Sequence, residues 1–460
     1  MPGPQRATHA GLRRDPTPMV ERGGSGTRGD EPRDPDPAAG VRGPFSVPDF
    51  RALWTAEVLS VAGDQVARVA LTVLVLSETG SVAWSAGVYA LTFLPALLGG
   101  LLLGHLADRW PRRRLLIGTD LVRAGLVVAM AVPGPGLPVL GALLVLVVLL
   151  GGPHTAARSA LLPDLLSGDL LARGLALRQV SVQVAQVAGF AGGGLLVATL
   201  TPRGALLVDA ATFVGSAVLL ALGVRSRYAA VAAGPSAATA AAIAAAPGPG
   251  SATRWGARAG AWWRTALAGL PIVFGHPRRR SLALMAWMLG IFVLPEALAA
   301  AYAVAIGAGP AATGLLMAAD PAGSAVGALV VAYVLPARLR ERGLVPLAVG
   351  AALPLALTPL ATGLWQAVAL WAVSGACATA CLIAAQSGFA RATPSAVRGS
   401  AVGVAASGLV ATQGAAVLAG GVLAEWTAPA TALGVFGAVG IVLALGAFRM
   451  LRSAGPGAVA

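Results

Sequence analysis

Charge is scarce in this sequence, and lysine is absent altogether. Of its 460 residues 11% are charged, against roughly a quarter in a soluble domain. Without lysine there is no Walker A loop to hold nucleotide phosphates and no amine for a Schiff base. The two cysteines, Cys377 and Cys381, sit one helical turn apart in an apolar run. That geometry suits neither a disulfide nor, without further ligands, a zinc site. His9, His105, His154 and His276 are dispersed and form no ligand cluster. No cofactor or metal is expected, and nothing resembles a nucleophile with its base, so an enzyme is not expected either. What remains is apolar: 57% hydrophobic residues and a mean hydropathy of +0.77. Twelve membrane helices of ~20 residues would take up ~240 positions, which the length accommodates. The expected class is an all-α integral membrane protein. The net charge of +14 points away from nucleic acid, because the arginines lie in short runs between apolar segments.

Residues 1–44 are rich in Pro, Gly, Arg and Asp and read as a disordered tail. They lack the apolar h-region of a signal peptide. Apolar segments follow at about 54–77, 85–106, 115–132, 137–157, 174–199 and 204–224, then at 281–305, 312–335, 344–361, 364–388, 400–423 and 428–449. The pattern is six plus six: bundles over 45–224 and 281–450, a connection over 225–280, and a short tail at 451–460. Alternate connections carry the arginines: Arg109 and Arg112 to Arg114; Arg158 and Arg173; Arg225 to Arg280; Arg338, Arg340 and Arg342; Arg391 and Arg398. The intervening ones carry none, Arg203 excepted. The positive-inside rule therefore puts the Arg-rich connections and both termini in the cytoplasm. In the middle connection Trp255, Trp262 and Trp263 alternate with Arg254, Arg258 and Arg264, as in a helix lying in the headgroup region.

The connection after the second helix reads Gly104-His-Leu-Ala-Asp108-Arg109-Trp-Pro-Arg112-Arg113-Arg114. It resembles the signature Gly-x-x-x-Asp-Arg-x-Gly-Arg-Arg/Lys of the major facilitator superfamily, with Pro111 where the signature has its second Gly. A weak copy runs from Ala332 through Pro336 to Arg342 in the second half, as two repeated halves would give. Phe50-Arg51-Ala-Leu53-Trp54, Ser60-Val-Ala-Gly63-Asp64, Ala160-Leu-Leu-Pro163-Asp164 and Asp209-Ala-Ala-Thr212-Phe213 look like the branch of bacterial macrolide-efflux and siderophore-export proteins. The resemblance spans about 45–450. Gly189-Phe190-Ala191-Gly192-Gly193-Gly194 is similar to the antiporter signature Gly-Pro-x-x-Gly-Gly. Phe190 replaces its Pro, which leaves close helix contact as the plain alternative for Gly189, Gly193 and Gly194. The resemblance implies that the loop after helix two latches helix eleven in the outward-facing state. Asp108 would meet the helix-eleven N-terminus near Gly399, and Arg112 would bridge Asp108 and Asp164.

A charge at mid-bilayer costs ~3 kcal/mol, so intramembrane ionisable residues are the site candidates. In helix one, Glu57, Asp64 and Arg68 share a face. Glu57 is close enough to the end to be solvated. Asp64 is either a static partner of Arg68 at i+4 or a protonatable, substrate-binding acid. Glu296 in helix seven and Asp320 in helix eight are expected at one depth, either as a proton-carrying pair or with Asp320-Pro321 marking a kink. Gln179, Gln183 and Gln186 stripe helix five, while Trp287 and Trp371 face either a cavity or the core. The expected function is export of a small amphiphilic compound by a monomer in the inner membrane of a bacterium, in exchange for protons. Asp64, Arg68, Glu296 and Asp320 would couple or bind; Gly104, Asp108, Arg109, Arg112, Arg113 and Asp164 would gate. Import or facilitated diffusion is the alternative within transport, and a non-transporting sensor or scaffold the alternative outside it.

Overall fold

The structure, a computed structural model, describes residues 43–134, 136–225, 269–334 and 343–453. Helices make up the described residues and no strand occurs among them. Twelve spans follow in order. They are α1 (Pro48–Thr79), α2 (Val82–Ala90 continuing as Leu94–Leu103 after a turn), α3 (Arg112–Ala131), α4 (Leu137–Leu165), α5 (168–200) and α6 (202–223). The second half holds α7 (Pro277–Ala305), α8 (Pro310–Val334), α9 (Leu344–Leu360), α10 (Leu364–Arg391), α11 (Arg398–Trp426) and α12 (Pro429–Ser453). Among the described residues nine helices are long and apolar enough to cross a membrane, and α9 is a shorter apolar one. The other two positions have physical explanations. α3 carries three arginines in its first turn plus Asp120 and Arg123, so its hydropathy is low. α5 and α6 run on as one helix, Gly168–Gly223, broken only at Thr201.

That break is built by Thr201-Pro202. Proline has no N–H to continue the ladder, and Thr201 takes φ 73°, a conformation that costs a non-glycine residue about 1–3 kcal/mol. Its hydroxyl receives the Gly204 N–H at 3.4 Å, capping α6. Beside it Arg203, the one arginine on the otherwise Arg-free side, bonds Glu78 at the end of α1 at 2.7 Å. The exception to the charge pattern is thus an ion pair.

Several helices extend past their hydropathy segments. α1 starts at Pro48, with Asp49 in its first turn; Asp49 receives the Arg225 N–H at 2.7 Å, tying the two ends of the first bundle. α4 runs to Leu165 through Pro153 and Pro163, which places Arg158 inside a helix and not in a connection. Most of the middle connection, with its three tryptophans, and the second copy of the loop signature from 335 to 342 lie outside the described residues.

In the first bundle α1 lies along α5 and α6, and α3 and the inner half of α2 pack on α4. In the second, α10 packs on α8 and α9, and α12 on α7 and α9. Between bundles the contacts gather at the Arg-poor end. Val82–Ala90 lies along α11, whereas Leu94–Leu103 barely touches it. The α7 segment Leu294–Ala305 meets α1 and α2. α5 and α8 cross at glycines: a Cβ on Gly194 would lie 2.7 Å from Gly314 Cα. Trp84, Trp365 and Trp426 are exposed at this end, where an interfacial aromatic belt is expected. Among the described residues the bundles meet chiefly at this end.

Candidate functional site: a charged cavity and a bundle-bridging acid

α1 carries acids and an arginine on one face, and three other helices of its bundle answer them. Asp64 does not pair with Arg68 one turn on. It accepts from Arg123 Nη2 of α3 at 2.8 Å, and the Arg123 guanidinium lies 4.1 Å above the Phe213 ring of α6. Asp209 of α6 is buried and within electrostatic range of both. Arg68 turns the other way, 5.7 Å over the Tyr89 ring of α2, and makes no ion pair among the described residues. Asp64, Arg68, Arg123 and Asp209 line a cavity of about 540 Å³ with Thr92, and its remaining wall is largely aliphatic. Few polar anchors in an apolar enclosure suit an organic molecule larger than an ion.

Glu57 is not solvated: it is 4% exposed. It accepts from Arg178 Nε of α5 at 2.7 and 2.8 Å and faces Arg158 of α4 at 3.2 Å. Deeper in the bundle His154 Nδ1 lies 3.0 Å from Asp120, whose other oxygen accepts from Ser216 at 2.6 Å. Among the described residues no three His, Cys, Asp or Glu side chains form a metal-binding group.

The second bundle differs. Its intramembrane acids, Glu296 and Asp320, have no arginine partner of their own bundle among the described residues. Glu296 sits just past a short 3-10 stretch, Leu289–Val293, that bends α7 before Pro295. The bend is held by α11: Thr412 donates to the Trp287 carbonyl at 2.9 Å, and Trp287 Nε1 donates to the Ala405 carbonyl at 2.9 Å. The Glu296 carboxylate is buried and accepts from the Tyr89 hydroxyl across the bundle seam. Asp320 faces α10, where a Cβ on Gly375 would come 3.0 Å from its Cα. It is within electrostatic range of Glu296. Trp371 is fully buried against Tyr302, with ring centroids 5.3 Å apart. It belongs to the core, Trp287 is half-buried against α11, and neither lines either cavity. Gln179, Gln183 and Gln186 line neither cavity.

At the Arg-rich end Arg112 pairs with Asp164 and donates to the Ala160 carbonyl at 2.9 Å. Arg113 donates to the Leu220 and Ala221 carbonyls, capping the C-terminus of α6, where a cation is favoured. The Asp108 side chain is exposed, with neither ion pair nor hydrogen bond among the described residues. Arg112 therefore does not bridge it to Asp164, and no hydrogen bond or ion pair joins the Asp108 side chain to α11 among the described residues. Gly104 ends the α2 segment and Arg109 is exposed. Of the glycine run, Gly189 and Gly193 admit α1: an added Cβ would lie 2.9 Å from Ala62 Cα and from Val66 Cα. Gly194 admits α8. All three make close helix contacts.

Arg123, Arg158, Arg178, Asp209 and Tyr89 join the site although none stood among its sequence candidates. The insertion-cost criterion applied to Glu296 selects Arg123 and Asp209 equally well, since both interrupt apolar runs. Tyr89 carries no such signal.

A family model described as transmembrane secretion effector matches residues 39–254. No curated protein sequence matches significantly. Among solved structures, a peptide transporter of the POT family in complex with sulfate superposes with a TM-score of 0.67 at 14% identity, over 88% of this chain and 95% of that one. A POT family transporter in complex with a thioalcohol-conjugated peptide gives 0.67 at 12%, over 88% and 96%. A bacterial homolog of the human lysosomal transporter Spinster, in an inward-facing and occupied conformation, gives 0.65 at 15%, over 90% and 97%. The chain is a multi-pass membrane protein with the fold of the major-facilitator-type transporters.

Proposed function

We propose that this protein is a secondary active exporter of a small amphiphilic compound, driven by proton exchange and working by alternating access. The carrying observation is the Glu296 carboxylate held by Tyr89 between the two bundles. A buried acid in such a seam couples protonation to conformation. Ionised, it is stabilised by the Tyr89 hydroxyl and by Arg68 beyond it. Protonated, it no longer holds that charge-assisted bond, and the seam loosens. Asp320, within electrostatic range, provides a second protonatable group on the same side. Asp64 and Arg68 bind polar groups of the substrate in the adjoining cavity, with Arg123 and Asp209 fixing Asp64.

By the arginine distribution the Arg-rich end faces the cytoplasm of a bacterial cell and carries both termini, so the arrangement described is inward-open and loads from inside. Asp108 and Arg112 latch that end in the opposite state. Export fits the secretion-effector model over the first bundle and the sequence likeness to macrolide and siderophore exporters. The reading takes the monomer as the working unit.

The test is accumulation of amphiphilic antibiotics and dyes in efflux-deficient bacteria expressing the wild type, Glu296→Gln or Asp320→Asn, with and without an uncoupler. Lower accumulation that the uncoupler and Glu296→Gln both reverse supports the reading. Export that persists in Glu296→Gln and under the uncoupler overturns proton coupling.

A further inference from the structure

We propose that a second cavity, at the Arg-rich end between α1, α4 and α5, binds the acidic head of an amphiphile, a carboxylate or phosphate on an apolar chain. This assigns a substrate class to the export reading above and rests on it for direction only. The cavity has a volume of about 230 Å³. Its apolar walls are Phe50, Leu53, Trp54, Leu162, Leu171 and Leu175, and its charged floor is Glu57, Arg158 and Arg178. Two guanidiniums share one carboxylate, which leaves one positive charge uncompensated in a partly desolvated place.

The donors are available. Each guanidinium offers five N–H groups in a fork that matches carboxylate and phosphate. Among the described residues Arg178 engages Glu57 through Nε alone, and its side chain is 26% exposed. The Nε of Arg158 is buried without an acceptor. The Trp54 indole N–H is already committed, to Ser181 at 3.0 Å, so Trp54 presents an apolar ring. An anion entering from the Arg-rich end meets Arg178 first and competes with Glu57 for it, while its chain lies on the leucine wall. Ser159 lines this cavity and the larger one. The two are neighbours, and a ligand docked under Trp54 has a short path to Arg68 and Arg123.

Charge complementarity makes the test sign-sensitive. The purified protein in phosphatidylcholine vesicles is titrated with dansyl-labelled undecanoic acid and with its neutral primary amide, following dansyl fluorescence. The acid should bind more tightly than the amide, and unlabelled dodecanoate should displace it. Arg178→Gln should weaken acid binding by about tenfold or more, the loss expected for one charge-assisted hydrogen bond, and leave the amide unchanged. Glu57→Gln, which frees both arginines, should strengthen acid binding. Equal affinity for acid and amide, or an unaltered acid affinity in a folded Arg178→Gln protein, overturns the proposal. Should Arg178→Gln not fold, Leu171→Trp fills the wall instead, and unaltered acid binding there overturns it too. Phosphatidylglycerol vesicles separate the sources of the shared chemistry. Displacement of the probe by that lipid identifies a lipid headgroup as the occupant; none identifies a free amphiphile. The titration needs no gradient, so binding without uncoupler-sensitive efflux defeats the export reading alone, and efflux without acid-selective binding defeats this site alone.

Discussion

Replacing Tyr89 by Phe removes one hydroxyl from the seam between the bundles and leaves the rest of the side chain in place. The ring keeps its contact with Phe93 at 5.8 Å and stays beneath Arg68, so no cavity forms. What is lost is a bond to the buried carboxylate of Glu296, and a hydrogen bond to a charged group contributes about 1.5–3 kcal/mol. Arg68 remains near Glu296 and offsets part of that, so about 1.5–2 kcal/mol is a reasonable net loss. The bond joins α2 to α7 on the side where the bundles are closed. If it breaks when they part there, the equilibrium moves toward the arrangement open at the Arg-poor end by about 10–30-fold. Two spin-label pairs read this out in a background lacking Cys377 and Cys381: Pro133 with Thr362 on the Arg-poor loops, and Trp110 with Ser395 on the Arg-rich ones. In Tyr89→Phe the first pair should shift to longer distances and the second to shorter. A protein that loses thermal stability while both distance distributions stay put would refute the argument, because the bond would then be internal to both states.

Further predictions follow from individual contacts. Gly194→Val and Gly314→Val should each stop the closed Arg-poor end from forming, since an added Cβ lies within 3 Å of the facing backbone. Both variants should then give the long Pro133–Thr362 distance and lose transport. Glu425→Ala removes the acceptor for Ser81 Oγ at 3.1 Å and Ala83 N–H at 3.0 Å. That rim contact is exposed, so a modest shift in the same distance is expected, smaller than in Tyr89→Phe. Arg113→Ala uncaps α6 and should cost about 1 kcal/mol, seen as a lower Tm in detergent with transport reduced little. Asp64→Asn leaves Arg123, 8% exposed, without its partner and should destabilise more than the double variant Asp64→Asn/Arg123→Gln. A double variant at least as unstable as the single one would show that the pair is not what Arg123 depends on.

The helices were legible in the sequence because each must present a continuous apolar surface to lipid, and hydropathy measures that directly. Their ends were less so. Hydropathy placed Arg158 in a connection after residue 157, but α4 continues through Pro153 and Pro163, and the arginine is bonded inward to Glu57. The candidate acids were found by their insertion cost, which is a property of one residue. Their partners are a property of the fold. The i+4 spacing of Asp64 and Arg68 suggested a local pair, yet a helix in a bundle has neighbours on most sides, and Arg123 from α3 takes the acid while Arg68 covers Tyr89. Glu57 looked solvated because it lies near a helix end. It is buried because α4 and α5 close over that end with arginines of their own.

The charges of the two bundles are arranged for different tasks. In the first, Glu57, Asp64, Asp120 and Asp209 stand among Arg68, Arg123, Arg158, Arg178 and His154. Glu57 and Asp64 accept from guanidiniums and Asp120 lies beside His154, whereas Asp209 makes no ion pair among the described residues. In the second, among the described residues, Glu296 accepts from the Tyr89 hydroxyl and has Arg68 of the other bundle within electrostatic range, and Asp320 has no arginine partner. Neutralising them costs no ion pair within their own bundle. On the export cycle proposed above, the exchangeable protons belong on Glu296 and Asp320 and the recognition charges on α1, α3, α4 and α5. The point where the two meet is Tyr89, which touches Glu296 through its hydroxyl and Arg68 through its ring.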